Sequence, residues 1–114
     1  MNCVISWLCQ SLAAPTVSAS ETSSQLLALI GFNVTMSFLV KAAPLVTPSD
    51  IEWIFQDNSN EETEIVPTAR HSFSEDKLSL TIYDIQEEDE GQFILIAINV
   101  FGQGQASIQL VVDS

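Results

Sequence analysis

The chain has 114 residues, of which 15 are acidic and 3 are basic, so its formal net charge at pH 7 is −12. This length fits one domain with a buried core and is too short for two. The negative charge repels nucleic-acid phosphates and anionic lipid headgroups, which argues against both as partners.

Residues 1–14 are predicted to be a signal peptide or, alternatively, a disordered N-terminal segment. A short apolar run is followed by Ser11-Leu12-Ala13, which puts small residues at the −3 and −1 positions of a cleavage site near Ala13, but no basic residue precedes the run. Cys3 and Cys9 lie in this segment and are the only cysteines, so the domain predicted over 15–114 has no disulfide in its core. No stretch reaches ~20 consecutive apolar residues, so we predict no membrane insertion.

Residues 15–114 consist of short runs of period two separated by turn residues, which is typical of an all-β sandwich. No run has the helical period of 3.6, and no internal repeat is visible. The predicted strands, in chain order, are an irregular lead-in at 15–21, an edge strand at 26–30, and strands at 33–40, 51–55, 70–73, 78–82, within 89–102 and at 108–112.

The strand at 33–40 alternates cleanly, with Val34, Met36, Phe38 and Val40 on one side and polar residues on the other. Its polar side begins with Asn33, which starts an N-x-T sequon and is therefore a candidate glycosylation site. The alternative is a triplet that arose by chance. The outward residues of strand 78–82 are polar too, so this sheet is expected to have a polar outer face.

Within the segment 89–102, residues 93–98 follow a period of two in which both sets of alternate residues are apolar. Phe93, Leu95 and Ala97 form one set, and Ile94, Ile96 and Ile98 form the other. A strand of a two-layer sandwich normally turns one face to water, so a strand that is apolar on both faces predicts burial by something outside the domain.

The first of these two sets resembles the D-x-G-x-Y-x-C-x-A-x-N-x-x-G signature of I-set immunoglobulin domains, through Asp89, Gly91, Ala97, Asn99 and Gly102. The resemblance implies a two-sheet antiparallel sandwich with Greek-key connections, in which segment 89–102 contains strand F. Strands 33–40, 51–55 and 108–112 are then strands B, C and G.

The same resemblance places Phe38 and Leu95 at the two cysteine positions of the family, Trp53 at its strand C tryptophan, and Phe93 at its corner tyrosine. Leu80 is an inward residue of the strand at 78–82, which the resemblance makes strand E. Phe38, Trp53, Leu80, Phe93 and Leu95 are therefore the predicted core. Replacing the disulfide forfeits ~2–5 kcal/mol, which added apolar volume partly offsets. Family members without the disulfide are typical of intracellular muscle-type modules but also occur among cell-surface receptors.

The resemblance also assigns a binding face. Domains of this family commonly pair through the outer face of the G-F-C sheet, where the isoleucines of strand F are expected beside residues of strands C and G. The predicted protein-binding residues are Ile54, Ile94, Ile96, Ile98 and Val111. The alternatives are that strand C′ or residues 57–67 fold over this patch, or that the isoleucines serve β-propensity alone.

Arg70 and Asp89 occupy positions that resemble the Arg–Asp salt bridge of variable-type immunoglobulin domains, the alternative being an unpaired surface arginine. Catalysis finds no support, because His71 is the only histidine and the domain has no nucleophile elbow and no phosphate-binding loop. We therefore predict a domain that is not an enzyme and uses no cofactor or metal.

Two functional hypotheses follow. The first is an extracellular or cell-surface recognition module that binds a protein partner, or a second copy of itself, through the G-F-C face. The second is a cytoplasmic structural module of the cytoskeletal type, in which the sequon is accidental. Occupancy of Asn33 by a glycan discriminates between them.

Overall fold

The structure is a computed structural model that describes residues 13–19, 25–43 and 45–113. The predicted cleavage site and both cysteines lie outside the described residues, apart from the backbone of Ala13. The described strands are β1 (Ala13–Ala19), β2 (Gln25–Leu29), β3 (Val34–Ala43), β4 (Ile51–Gln56), β5 (Glu62–Glu64), β6 (His71–Phe73), β7 (Ser79–Ile82), β8 (Gly91–Asn99) and β9 (Gly102–Asp113). Short 3₁₀ turns lie at Pro48–Asp50 and Glu87–Asp89.

The strands form two sheets, one in the order β1-β3-β7-β6 and the other in the order β2-β9-β8-β4-β5. These orders correspond to strands A-B-E-D and A′-G-F-C-C′ of the immunoglobulin fold, so the predicted all-β sandwich is confirmed. We call them the four-stranded and the five-stranded sheet. Most neighbours are antiparallel, but β2 pairs with β9 in parallel.

The core lies where the inward residues of both sheets meet. Trp53 of β4 is fully buried, its ring packs edge-on against Phe38 of β3 at 5.3 Å between centroids, and it stands opposite Leu95 of β8 in the sheet register. Its Nε1 atom donates a hydrogen bond to the carbonyl of Lys77 at 2.8 Å, so the one polar atom of the ring is satisfied. The core is thus centred on apolar side chains at the family's cysteine positions.

Strand β5 is not among the strands that the sequence predicts. Glu62, Thr63 and Glu64 are all exposed, so no apolar alternation marks them, and only their pairing with β4 defines the strand. In the turn before β5, the Asp57 carboxylate accepts hydrogen bonds from the backbone N–H groups of Ser59 and Glu61.

Strand β9 begins six residues earlier than predicted, at Gly102 rather than at residue 108. Its first half contains Gly104, where a β-carbon would collide with the backbone of Pro15 in β1. Because Gly104 has no side chain, β1 of the four-stranded sheet can pass directly over β9 of the five-stranded sheet. This half of β9 consists of small and polar residues, so its sequence shows no apolar alternation that would predict a strand.

Within the described ranges, no helix has the length and apolar character needed to cross a bilayer.

Candidate protein-binding face

Strand β8 presents its two sets of alternate residues to opposite sides of the five-stranded sheet. Phe93, Leu95 and Ala97 point inward and are buried, with at most 1% of each side chain exposed. Ile94 and Ile96 are half-buried on the outer side, and Ile98 is 43% exposed there. We call Ile94, Ile96 and Ile98 the isoleucine column.

The sheet register places Ile54 beside this column. Ile54 of β4 stands directly opposite Ile94, so their side chains lie on one face at the spacing of a cross-strand pair, ~4.5–5.5 Å between β-carbons. Strand β5 continues the sheet beside β4 rather than crossing the face. Strand β5, which corresponds to C′, therefore does not fold over the isoleucines.

Val111 does not lie with the other predicted protein-binding residues. Gln109 and Gln92, which face each other, come between Val111 and Ile94 along the two strands. Val111 instead stands opposite Leu27 of β2, whose side chain is 63% exposed. The structure thus brings four of the five predicted residues together and places the fifth at the β2 edge of the sheet.

The two flanks of the isoleucine column differ in charge. On the β9 side, the residues opposite Ile96 and Ile98 are Gln105 and Gln103, which are exposed and neutral. On the β4 and β5 side, the exposed residues are acidic, namely Glu52, Glu62 and Glu64.

None of the three Lys and Arg residues lies in a strand of this sheet. Lys41 lies in β3 of the four-stranded sheet, while Arg70 and Lys77 lie in loops, and these are the only three Lys and Arg residues. The face is therefore apolar along the column, neutral on one side and negative on the other.

The outer face of the four-stranded sheet is mainly polar, with Leu39 of β3, which is 55% exposed, as an apolar exception. Thr35 and Thr81 stand opposite each other with 2.9 Å between their hydroxyl oxygens, and Ser37 and Ser79 do the same at 2.8 Å. Asn33, the predicted glycosylation site, is exposed just before β3, and its Oδ1 atom accepts a hydrogen bond from the backbone of Asp84 at 3.1 Å.

Arg70 and Asp89 form an ion pair that connects the segment before β6 to the turn before β8. Asp89 is the buried member, with 7% of its surface exposed, and its Oδ2 atom also accepts the backbone N–H of Gln86 at 2.7 Å. Arg70 Nε donates to the carbonyl of Tyr83 at 3.2 Å. Hydrogen bonds to backbone on both partners fix the geometry of this pair, so its role is structural.

His71 lies next to this ion pair and is half-buried. Burial lowers the pKa of its imidazole below the ordinary value, the neighbouring Arg70 cation lowers it further, and the Asp89 carboxylate opposes both. Its Nδ1 atom lies 2.8 Å from the Thr68 hydroxyl. Among the described residues, no three His, Cys, Asp or Glu side chains form a group that could hold a metal ion.

Comparison with known proteins gives consistent findings. The Immunoglobulin I-set domain family model matches residues 17–112. Neural cell adhesion molecule 1 of Rattus norvegicus is 34% identical over 98 residues, which are 86% of this chain and 11% of that protein. The chain therefore spans about a tenth of that relative's length.

Solved structures show the same fold. A Dscam structure that addresses isoform specificity superposes with a TM-score of 0.74 at 17% identity, covering 90% of this chain and 25% of that one. A titin M4 structure superposes with a TM-score of 0.68 at 17% identity, covering 91% of this chain and 100% of that one.

Proposed function

The chain belongs to the immunoglobulin I-set family, and from that premise we propose that it is a recognition module that binds a protein partner through the outer face of its five-stranded sheet. The observation on which this rests is the isoleucine column together with Ile54. These four side chains form an apolar strip on an outward face, and such strips are characteristic of protein interfaces.

The flanks of the strip favour one class of partner. Glu52, Glu62 and Glu64 present carboxylates beside the strip, and none of them forms an ion pair within the described residues, so a partner with basic residues opposite β4 and β5 gains electrostatic complementarity. A second copy of this chain brings another formal charge of −12. Self-association is consequently opposed by charge repulsion, and a basic protein partner is favoured over a homodimer.

The similarity to neural cell adhesion molecule 1, an adhesion molecule by name, supports an extracellular or cell-surface location for this module. The exposed sequon at Asn33 lies on the opposite sheet, so a glycan there would leave the isoleucine column accessible. Expression of the full chain in secretory cells tests this location: cleavage near Ala13 and a glycan on Asn33 are expected. Unglycosylated protein held in the cytosol with Met1 intact would contradict it.

A structural module of the titin type is the second candidate. The observation that favours it is the pair Phe38 and Leu95 at the two cysteine positions, because a core without a disulfide folds equally well in a reducing compartment. The similarity to titin M4 is one of fold alone. In that case the secretory experiment would yield no glycosylated product.

The interface is tested with Ile96→Lys and a matched control. Ile96 points outward, so the substitution should leave the thermal midpoint nearly unchanged. The lysine stands opposite Glu52, so it removes an apolar contact, cancels one of the carboxylates and repels a basic partner, and binding should weaken by about a hundredfold in Kd. Ser72→Lys adds the same charge at an exposed position of β6 on the other sheet and should leave binding intact.

Binding is measured by surface plasmon resonance against a panel of cell-surface proteins, and self-association is measured by sedimentation velocity. If a partner is found and Ile96→Lys binds it as well as the wild type does, the isoleucine column is not the interface. If Ile96→Lys unfolds the domain, the side chain is covered by the chain itself.

A further inference from the structure

Strand β2 is one edge of the five-stranded sheet, and the other three sheet edges show how this fold limits strand addition. Natural sheets protect their edges with short strands, charged side chains, proline or irregular pairing. Strand β1 contains Pro15, and its pairing with β3 is irregular between Ala13 and Thr16. Strand β5 has three residues, two of them glutamates, and β6 also has three residues. Each of these three edges is therefore a poor template for another strand.

Strand β2 has none of these protections. Its five residues, Gln-Leu-Leu-Ala-Leu, include no charged residue and no proline, and they pair with β9 in an unbroken register. The side chains of Leu27 and Leu29, on the outer face of the sheet, are 63% and 46% exposed. A regular, apolar edge of this kind is a ready template for pairing with a further strand.

A hydrogen bond at the end of β2 shows which of its backbone groups face away from β9. Ile30 donates its N–H to the carbonyl of Asp113 in β9 at 3.1 Å. Residues of a strand turn their backbone groups alternately to one side and to the other, so Ala28 also bonds β9, whereas Leu27 and Leu29 face the open side. The Leu29 carbonyl is used in the turn that follows. The N–H and C=O of Leu27 and the N–H of Leu29 have no partner strand in the part of the chain that the structure describes.

Asp113 gives this open edge a negative charge. It stands opposite Leu29 in the register, is exposed, and its carboxylate forms no hydrogen bond or ion pair among the described residues. No lysine or arginine lies in β2 or β9 to balance it. A second copy of this chain would bring another formal charge of −12, so charge repulsion opposes the pairing of two β2 strands. A foreign strand with a basic residue is favoured instead.

We propose that β2 binds an extended apolar segment of a partner protein, carrying one basic residue, as an added strand of the five-stranded sheet. Antiparallel pairing is slightly more stable per residue than parallel pairing, so the added strand runs antiparallel to β2. The partner residue opposite Leu27 exchanges two hydrogen bonds with it. The basic residue, two positions earlier, lies opposite Leu29 on the same face as Asp113. Gln109 and Gln92 separate this site from the isoleucine column.

The probe is the peptide acetyl-Ser-Lys-Val-Val-Val-Thr-Ser-amide, in which the lysine stands two residues before the central valine. Hydrogen exchange of the protein amides is followed by NMR with and without peptide. In the free protein, the Leu27 amide is expected to exchange quickly and the Ala28 amide, which bonds β9, slowly. A peptide concentration of about ten times Kd should slow exchange at Leu27 about 10-fold, because only about one molecule in ten remains unbound. Exchange at Ala28 should change little.

Modified peptides test the backbone pairing directly. A methyl group on the nitrogen of the central valine removes the donor that faces the Leu27 carbonyl and should weaken binding at least about 10-fold. The matched control carries the methyl group on the next valine, whose N–H faces away from β2, and should change the affinity less than about 2-fold. Equal effects of the two methyl groups would overturn the proposal.

The charge preference is tested with a peptide in which glutamate replaces the lysine. It should bind about 3- to 10-fold more weakly, as one exposed carboxylate allows. Asp113→Asn should remove most of this difference. The matched control Glu52→Gln makes the same change of charge on β4, away from β2, and should keep the difference. A preference for lysine that is the same in both variants would overturn the assignment to Asp113.

Leu27→Pro tests the edge from the side of the protein. It removes the N–H on the open side and no hydrogen bond to β9, and an edge strand tolerates proline at such a position. It should weaken binding of the peptide at least about 10-fold, whereas Leu27→Val, which keeps the N–H with a side chain of similar size, should bind within about 3-fold of the wild type. Wild-type affinity of Leu27→Pro would overturn the proposal. Should Leu27→Pro unfold the domain, the methylated peptides decide on the wild-type protein.

The exchange experiment also separates the other occupants of β2. If the Leu27 amide of the free protein is protected at every protein concentration, the chain itself covers the edge. If the protection rises with protein concentration and sedimentation velocity shows a dimer, a second copy pairs there. Either result would overturn the proposal. The test is independent of the protein-binding face, because Ile96→Lys should leave peptide binding unchanged and Leu27→Pro should leave binding at the isoleucine column unchanged.

Discussion

The two outer faces of the sandwich follow the same period of two but present opposite kinds of side chain. On the four-stranded sheet, Thr35 bonds Thr81 and Ser37 bonds Ser79, so the polar groups satisfy each other across the strands. On the five-stranded sheet, Ile94 stands opposite Ile54 and nothing in that pairing removes their outer surfaces from water. The inner residues of both sheets build one shared core, so the fold depends on the inner positions and the difference between the faces is available for function.

The largest expected effect separates inner from outer residues of one strand. Leu95→Ala should lower the free energy of unfolding by about 2–5 kcal/mol, because it deletes buried volume beside Trp53 and leaves a cavity. Ile96→Ala, one residue further on the outer face, should cost roughly half of that or less, since its side chain is only half-buried. Denaturant unfolding of both variants measures the two values.

A reducing agent should leave the unfolding midpoint of the wild type unchanged, since no described strand contains a cysteine. A marked drop in the midpoint, or a cost at Ile96 equal to that at Leu95, would remove the distinction between the inner core and the outer face.

A smaller effect on the free energy of unfolding tests whether the hydroxyl groups on the outer face of the four-stranded sheet bond each other. A double-mutant cycle with Thr35→Val and Thr81→Val should give a coupling of about 0.2–1 kcal/mol, as expected for one cross-strand hydroxyl pair. Bacterially expressed protein is used, because Thr35→Val also destroys the sequon at Asn33. Additive single effects would show that the two hydroxyls bond water instead of each other.

The smallest effect concerns His71, which lies in β6 at the edge of the four-stranded sheet. Because the pKa of His71 is lowered in the folded state, the unfolded chain binds more protons between that value and the ordinary value of 6.5, and the free energy of unfolding falls as pH falls through this window. Asp57 and Asp76, whose pKa values are also lowered, act only near and below their ordinary value of 3.8.

His71→Gln should remove this pH dependence and thereby isolate it. The check is denaturant unfolding of wild type and variant at several pH values between about 5 and 7.5. A free energy of unfolding that rises on acidification, or the same slope in both proteins, would contradict the lowered pKa.

The sequence predicts strands in which apolar and polar side chains alternate, but it does not predict strands that are defined only by their pairing with a neighbour. The inward positions of β3, β4, β7 and β8 follow from apolar alternation, and the family signature orders them into the sandwich. By contrast, β5 consists of exposed polar residues and is visible only through its hydrogen bonds to β4. At the first half of β9, β1 passes closely over Gly104. This is a tertiary contact, which the pattern of residues along the chain does not show.

The candidate site shows the same limit. Parity alone predicts that Ile94, Ile96 and Ile98 share a face, but only the pairing of strands shows that Ile54 joins them and that Val111 stands with Leu27. The cavity lined in part by Phe55, Val66 and Glu88 is not predictable from the sequence, because these residues come from three segments that alternation does not relate.

The parallel pairing of β2 with β9 has a consequence for biosynthesis. The five-stranded sheet joins residues 25–29 to residues 109–113, so an early strand of this domain is synthesised well before the strand with which it pairs. A nascent chain that has emerged only as far as β8 exposes both the isoleucine column and the inner side of that strand, with the place beside it still vacant. Loop closure over this separation is slow compared with local pairing, and the emerging chain is therefore expected to depend on chaperones until β9 leaves the ribosome.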